Sequence, residues 1–305
     1  MFAAVLWVLF GEGIIVRSQS LLPETVGYLL VLATLLGEPW IFVILLSGAL
    51  WFGDARRIAP LFGFVFGGLA LVLVLKSVVG LPRPATGPLL AVDAVHPAVR
   101  WGYTWAIGGS GYGFPSGHVA GATIAWGGLA TATSVWTWQH RWFVASSIVA
   151  MVALSRVLLG VHYLGDVLGG LGIGIAVIGC YRFLVRNEIA PAVIALGSGV
   201  VVAVAAISVS STESEPYLAA GALLGGLISW IVFADHTASL PRNSRGITHA
   251  VLGTVAVLIA GGGVVVAVPG QAGIVAAAGA MGLFILAWPT FVGVLVPGNR
   301  RQLGS

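Results

Sequence analysis

The stretch from Ser155 to Asp166, which reads SRVLLGVHYLGD, places ionisable side chains in a chain that otherwise avoids them. His162 and Asp166 are four residues apart, so in a helix both would project from one face and the carboxylate would hold one imidazole nitrogen. A neutral imidazole held in this way presents its other nitrogen as a nucleophile. Arg156 adds a fixed, planar positive charge that suits phosphate oxygens. The stretch therefore predicts phosphoryl transfer through histidine.

Two further polar clusters come before this stretch. The first, KSVVGLPRP, holds Lys76, Arg83 and Pro84, and the second, PSGH, runs from Pro115 to His118. In the arrangement of spans given below, the first cluster ends one spanning helix and the second begins the next. The 155–166 stretch links the two spans after that, so all three clusters lie at one membrane face. We expect them to converge on a single site.

The composition is that of an integral membrane protein. Of 305 residues, 58% are hydrophobic and 8% charged, and the mean hydropathy is +1.03, whereas soluble domains carry about 25% charged residues. Continuous apolar runs of about 20 residues, the length of a spanning helix, recur almost from end to end, which favours helices over a barrel. The predicted fold class is therefore all-α, a polytopic transmembrane helical bundle.

The apolar runs predict nine spans, or ten if the segment from Phe2 to Val16 also crosses. The connection over residues 81–114 is much longer than the others, and we expect it to be a loop at one membrane face. The predicted spans are residues 27–51, 58–80, 117–136, 142–160, 164–185, 189–210, 216–234, 248–268 and 272–296.

The net charge is +4, and the basic residues are scattered singly between apolar runs. This pattern indicates signals of membrane topology and no nucleic-acid partner. Nine of the 14 Lys and Arg residues fall on one side of the predicted spans, and the positive-inside rule makes that side cytoplasmic. We therefore expect a multi-pass cell-membrane protein with an extracytoplasmic site and a cytoplasmic C-terminus. The nine are Arg56, Arg57, Arg141, Arg182, Arg186, Arg242, Arg245, Arg300 and Arg301.

The three clusters together resemble the signature of the type-2 phosphatidic acid phosphatase superfamily, which reads KxxxxxxRP, then PSGH, then SRxxxxxHxxxD. Every defined position is met, within a resemblance that covers residues 27 to 185. It implies a six-helix core. We expect a catalytic membrane domain over residues 1–186, followed over residues 187–305 by about four additional transmembrane helices of unknown role, packed through small residues.

The resemblance also implies roles for the motif residues. His162 would attack phosphorus and become a phosphohistidine, Asp166 would orient it, and His118 would protonate the leaving oxygen and then activate water. Five positions would bind the phosphate oxygens, and three would support the motifs. The phosphate-binding group is Lys76, Arg83, Ser116, Gly117 and Arg156, and the supporting group is Pro84, Pro115 and Ser155.

We expect no metal and no other cofactor. Three fixed cations would surround the phosphate, and the sequence has no carboxylate cluster to hold magnesium. The single cysteine, Cys180, excludes an intrachain disulfide and a cysteine metal cluster. Structural roles outside the chemistry are expected for Glu38, Asp54, Asp93, His96 and Arg100.

A site built from the ends of spanning helices can receive a phosphate whose lipid tail stays in the bilayer. The expected partner is a membrane lipid substrate, and the oligomeric state is not indicated. The expected activity is that of a metal-independent hydrolase, a lipid phosphatase acting on isoprenyl diphosphate, with phosphatidic acid or phosphatidylglycerol phosphate as the alternative substrate.

A lipid transporter or flippase is the alternative outside enzymes. It would need polar residues or broken helices near mid-membrane in both halves, and the second half has no charged residue there.

Overall fold

The computed structural model of the chain describes residues 8–108, 111–210, 214–234, 239–240, 243, 245–255 and 270–295. Over these ranges the structure is helical and contains no strand, so the predicted all-α class is confirmed. Residues 245–255 are also helical. The helices are α1 (Gly13–Leu21), α2 (Glu24–Leu35), α3 (Pro39–Phe52), α4 (Ala55–Val79), α5 (Pro97–Ile107), α6 (Gly117–Ala132), α7 (Trp138–Leu158), α8 (Leu164–Arg186), α9 (Pro191–Val209), α10 (Glu215–Phe233) and α11 (Gln271–Leu295).

Within the described ranges, six helices are long and apolar enough to cross a membrane, and a seventh span is possible if α2 and α3 count as one. The six are α4, α7, α8, α9, α10 and α11. The predicted span at residues 117–136 corresponds to α6, which has 16 residues. For the predicted span at residues 248–268, residues 256–268 lie outside the described part of the chain. The polytopic helical bundle is confirmed.

The predicted span over residues 27–51 consists of two helices. Helix α2 ends at Leu35 and α3 begins at Pro39, and the two are bent by 45°. Pro39 has no backbone N–H with which to continue the hydrogen bonds of α2, and proline is well accommodated at the first position of a new helix. The amides of Gly37 and Glu38 donate to Thr34 O (2.9 Å) and Leu35 O (3.0 Å), which closes the break with hydrogen bonds.

The connection over residues 81–114, predicted as a loop, contains helix α5. Tyr103 on α5 is buried, and its hydroxyl donates to the carbonyl of Leu90 (2.6 Å) and accepts from the amide of Leu90 (3.2 Å). Leu90, Val95 and Tyr103 form a small apolar core. The connection is therefore a folded element that packs on itself.

The chain divides into two compact units. The three polar clusters lie entirely in unit 1, so this unit contains the candidate site. The predicted boundary at residue 186 concerns function, and it stays a prediction. Unit 1 comprises Met1–Phe42, Val72–Ala130 and Trp136–Ile178, and unit 2 comprises Val43–Leu71, Thr131–Val135 and Gly179–Ser305.

Helices α10 and α11 of unit 2 pack backbone against backbone, as small-residue packing predicts. A Cβ added at Gly221 would collide with the carbonyl of Val275, and one added at Gly225 would collide with that of Gly279. Gly225 is fully enclosed by this contact. A side chain at this position would therefore push the two helices apart.

We expect Gly225→Ala to destabilise the protein by about 1–3 kcal/mol, because a methyl group forced into a filled contact shifts the backbone. The measurement is the thermal unfolding temperature in detergent. Gly179→Ala is the matched control, since nothing lies within 4 Å of a Cβ added there. Equal unfolding temperatures for the two variants would contradict the close α10–α11 contact.

Candidate active site

The structure brings the three polar clusters together at the ends of α4, α6, α7 and α8. The amide of Ser116 in the second cluster donates to the carbonyl of Asp166 in the third (2.9 Å). Arg83 of the first cluster donates from Nη1 to the carbonyl of Val161 (3.3 Å). Gly113, just before the second cluster, donates to the carbonyl of Leu81 (2.7 Å). Hydrogen bonds to backbone carbonyls therefore link all three clusters.

His162 lies in a turn between α7 and α8, where the predicted spans leave a link between residues 160 and 164. The turn is made by Gly160, whose φ is +75°, a conformation that favours glycine. The amide of Gly160 donates to Val157 O (2.9 Å), and that of Val161 donates to Arg156 O (3.2 Å). These two bonds are the Schellman pattern that ends a helix. A Cβ at Gly160 would also collide with the carbonyl of Gly87, so the turn is closely packed.

The predicted contact between His162 and Asp166 is present. Nδ1 of the imidazole lies 3.1 Å from Oδ2 of the carboxylate, and both side chains are buried. The same Oδ2 accepts from the amide of Tyr163 (2.9 Å), the residue before α8, so the carboxylate is fixed by two donors. A carboxylate on Nδ1 leaves Nε2 as the basic nitrogen of the ring.

His162 is surrounded by positive charge. Burial lowers the pKa of His162 well below its usual range, because the charged imidazolium is poorly solvated inside the protein. Nearby groups that carry or can gain a positive charge lower this pKa further. They are Arg156, Arg83, Lys76 and His118. The ring is therefore neutral at physiological pH, as a nucleophile must be.

Arg156, in the last turn of α7, is fully buried. Its Nη1 donates to Thr34 Oγ1 (2.9 Å) and to the carbonyl of Ala106 (2.6 Å). Its Nε and Nη2 have no hydrogen-bond partner among the described residues. A buried donor without a partner is costly, and a guanidinium edge with two such donors matches a phosphate group. One edge of Arg156 is thus held by the protein and the other is available to an anion.

Other members of the predicted phosphate-binding group share this property. Among the described residues, Arg83 Nε and Ser116 Oγ are also buried without a hydrogen-bond partner, as is the acceptor Asp166 Oδ1. Lys76 lies in the last turn of α4, and Gly117 begins α6. This arrangement of donors can bind a tetrahedral anion next to His162.

The predicted supporting residues lie in the same region. Ser155 is buried and its hydroxyl donates to the carbonyl of Val152 (2.7 Å), so it is bound to its own helix. Pro115 directly precedes the buried Ser116, and Pro84 follows Arg83 and lines a cavity. These contacts are structural and support the neighbouring motif residues.

The second histidine of the motifs has a partner that sequence reasoning missed. Nε2 of His118 lies 2.9 Å from Oε1 of Glu38, and the Glu38 residue is 3% exposed. Glu38 was assigned a structural role, and its partner lies 80 residues away in the sequence. One signal was present: an acidic residue between Gly37 and Pro39 in an apolar run is a costly group at a helix break.

Glu12 was also missed. Its carboxylate accepts from the amide of Ala85 (2.6 Å) and the hydroxyl of Thr86 (2.6 Å), directly after the first cluster. These bonds, with that of Thr86 first, hold the pKa of Glu12 below its usual value. The amino-terminal segment therefore fixes the backbone that carries Arg83.

A cavity of about 160 Å³ adjoins the site. It is bounded by one charged side chain, Arg83, and by the backbone of the turn that carries His162; the rest of its wall is apolar. Within the described residues, no three His, Cys, Asp or Glu side chains come together as a metal site would require. The lining residues are Arg83, Pro84, Gly87, Pro88, Ile107, Gly160 and Val161.

Comparison with known proteins agrees with the geometry. Residues 57–189, which contain all three clusters, match the PAP2 superfamily. The chain is also similar to phosphatidylglycerophosphatase B of Bacillus subtilis (strain 168), with 26% identity over 156 residues that cover 47% of this chain and 74% of the relative. No solved structure gave a significant match. The region that carries the three clusters is therefore similar to the PAP2 superfamily, and the long apolar helices are those of a multi-pass membrane protein.

Proposed function

We propose that the protein is a lipid phosphatase that works through a phosphohistidine formed on His162. The observation that carries this proposal is the buried His162–Asp166 pair beside buried donors that lack partners in the described residues: Nε and Nη2 of Arg156, Nε of Arg83 and Oγ of Ser116. Such donors stabilise the charge that develops on the equatorial oxygens of a transferring phosphoryl group.

The reaction has two steps. In the first, Nε2 of His162 attacks phosphorus, the bond to the leaving oxygen breaks, and His118 gives that oxygen a proton. Asp166 stabilises the imidazolium so formed, because its Oδ2 lies 3.1 Å from Nδ1. In the second step His118 removes a proton from water, the water oxygen bonds to phosphorus, and the electron pair of the P–N bond returns to His162.

The proposed substrate is an isoprenyl diphosphate, which is converted to the monophosphate. Two considerations support it: the arginine distribution, which predicts an extracytoplasmic site, and the cavity beside Arg83, which offers space and one fixed charge for a second phosphate. The second candidate is phosphatidylglycerol phosphate, which the name of the Bacillus subtilis relative favours. Phosphatidic acid belongs to the same alternative.

A substrate panel tests the activity and separates the candidates. Purified protein in detergent is given prenyl diphosphates, phosphatidic acid and phosphatidylglycerol phosphate, without added metal, and released phosphate is measured. We expect the prenyl diphosphates to have the highest kcat/KM. His162→Ala should lower it by at least roughly a thousandfold, as loss of a nucleophile does. His140→Ala, an exposed histidine on α7, should leave it unchanged. A protein that releases no phosphate from any of these lipids would support a transporter instead.

Vanadate tests the anion site directly. Its trigonal bipyramidal form resembles the phosphoryl group in transfer, so we expect inhibition that competes with substrate. Arg156→Lys should weaken the inhibition by roughly 10- to 100-fold, because lysine cannot supply the paired donors of the guanidinium edge. The measurement is the inhibition constant in each variant. Full activity of the wild-type protein at millimolar vanadate would count against the proposal.

The pH dependence tests the assignment of the nucleophile. Neutral His162 is reactive, so kcat/KM rises as pH increases through its pKa, and the lowered pKa places this acidic limb below about pH 6.5. Arg83→Gln removes one of the charges that lower the pKa. The pKa should therefore rise, and the acidic limb should move to higher pH.

Arg182→Gln, an exposed residue on α8, is the control and should leave the limb in place. The substrate titrates identically in all variants, so a difference between variants reports the enzyme. An acidic limb that stays fixed or moves to lower pH in Arg83→Gln would mean that another group controls it.

A further inference from the structure

The residues at the break between α2 and α3 contact α6, the helix that carries His118. Leu36 accepts at its carbonyl from Nε1 of Trp126 on α6 (3.0 Å). Gly37 packs against His118 so closely that an added Cβ would lie 3.2 Å from His118 Cβ. Glu38 then reaches Nε2 of His118 with its carboxylate (2.9 Å). Three consecutive residues thus contact α6, and the last of them contacts the imidazole.

The same break also holds the third cluster. Thr34, at the end of α2, accepts from Nη1 of the buried Arg156 (2.9 Å). Thr34 is itself fully buried. The bent α2–α3 pair therefore contacts one residue of the second cluster and one residue of the third. The match to the PAP2 superfamily begins at residue 57, so neither Thr34 nor Glu38 is covered by it.

Burying a charged carboxylate at this position costs free energy. Glu38 lies between two apolar helices and is 3% exposed, where an ionisable group is stable only if it is paired. His118 supplies a partner through one ring nitrogen. An imidazole bound at Nε2 has its proton there in the neutral state, so Nδ1 is the nitrogen that gains and loses the second proton.

We propose that Glu38 is a positioning residue that holds Nε2–H of His118, so that Nδ1 is the nitrogen that donates to the leaving oxygen and later accepts from water. This inference rests on the proposed function and adds to it a second carboxylate–imidazole pair. The site then contains two such pairs with opposite starting states. In the first step His162 must be neutral to attack, whereas His118 must carry a proton on Nδ1 to donate it.

The proton balance follows from this assignment. In the first step the Nδ1–H bond of His118 breaks, the proton goes to the departing oxygen, and neutral His118 keeps Nε2–H on Glu38. In the second step Nδ1 takes a proton from the attacking water, and the imidazolium is restored. Glu38 stays ionised throughout, and its negative charge favours the cationic form of His118 at the start of each cycle.

The test compares two substrates of similar size whose leaving groups differ in basicity. Phenyl phosphate releases a basic phenolate that needs a proton, while 4-nitrophenyl phosphate releases an anion that does not. Glu38→Gln keeps the size of the side chain and removes its charge. We expect it to lower kcat for phenyl phosphate by roughly 10- to 100-fold, part of the roughly 10²- to 10⁴-fold that general acid catalysis supplies. KM should change little, and kcat for 4-nitrophenyl phosphate should fall far less.

Two further variants separate positioning from folding. Glu38→Asp keeps the carboxylate and should recover part of the lost kcat for phenyl phosphate. Glu215→Gln makes the same chemical change at an exposed position on α10 and should match the wild-type protein with both substrates. Unfolding temperatures in detergent are measured for all variants.

The outcomes are distinct. A wild-type protein that hydrolyses neither ester and forms no alkali-stable phosphoenzyme overturns the proposed function. An active wild-type protein whose Glu38→Gln variant loses activity equally on both esters, or on neither, overturns the positioning role of Glu38 and leaves the proposed function standing. A selective loss with phenyl phosphate, at an unchanged unfolding temperature, supports it.

Discussion

The structure depends on the cost of burying charge in an apolar chain. An ion taken out of water is stable only when hydrogen bonds and opposite charges replace its hydration. Arg156 meets this condition on one edge, through Thr34 and Ala106, and its other edge is left to an anion. The same division applies to His162, whose Nδ1 faces Asp166 while Nε2 is available for reaction. A buried polar group that uses only part of its hydrogen-bonding capacity within the protein can bind a ligand with the rest.

Interruptions of the helices position the side chains of the candidate site. The glycine turn after α7 ends one helix and directs His162 toward the first turn of the next, and the break before Pro39 brings Glu38 to His118. Interrupted helices are tolerated in a membrane protein where their freed backbone groups find internal partners, as the amides of Gly37 and Glu38 do.

The sequence was sufficient for the fold class, for the three clusters and for the contact between His162 and Asp166. The spacing alone could not say how the contact is made, because helical spacing of four residues and a turn leading into a helix can both bring the side chains together. Glu38 could not be paired with His118, since 80 residues separate them and only the packing of α2, α3 and α6 joins them. Hydropathy also gave no sign of the break at Pro39, because an apolar run stays apolar whether its helix is straight or bent.

The position of α5 has a mechanical consequence. Ala106, which accepts from the buried guanidinium of Arg156 (2.6 Å), belongs to the folded connection and not to a spanning helix. A displacement of that connection would break this hydrogen bond and free a further donor of the same side chain. The position of this connection thereby sets how many donors of the guanidinium remain for an anion.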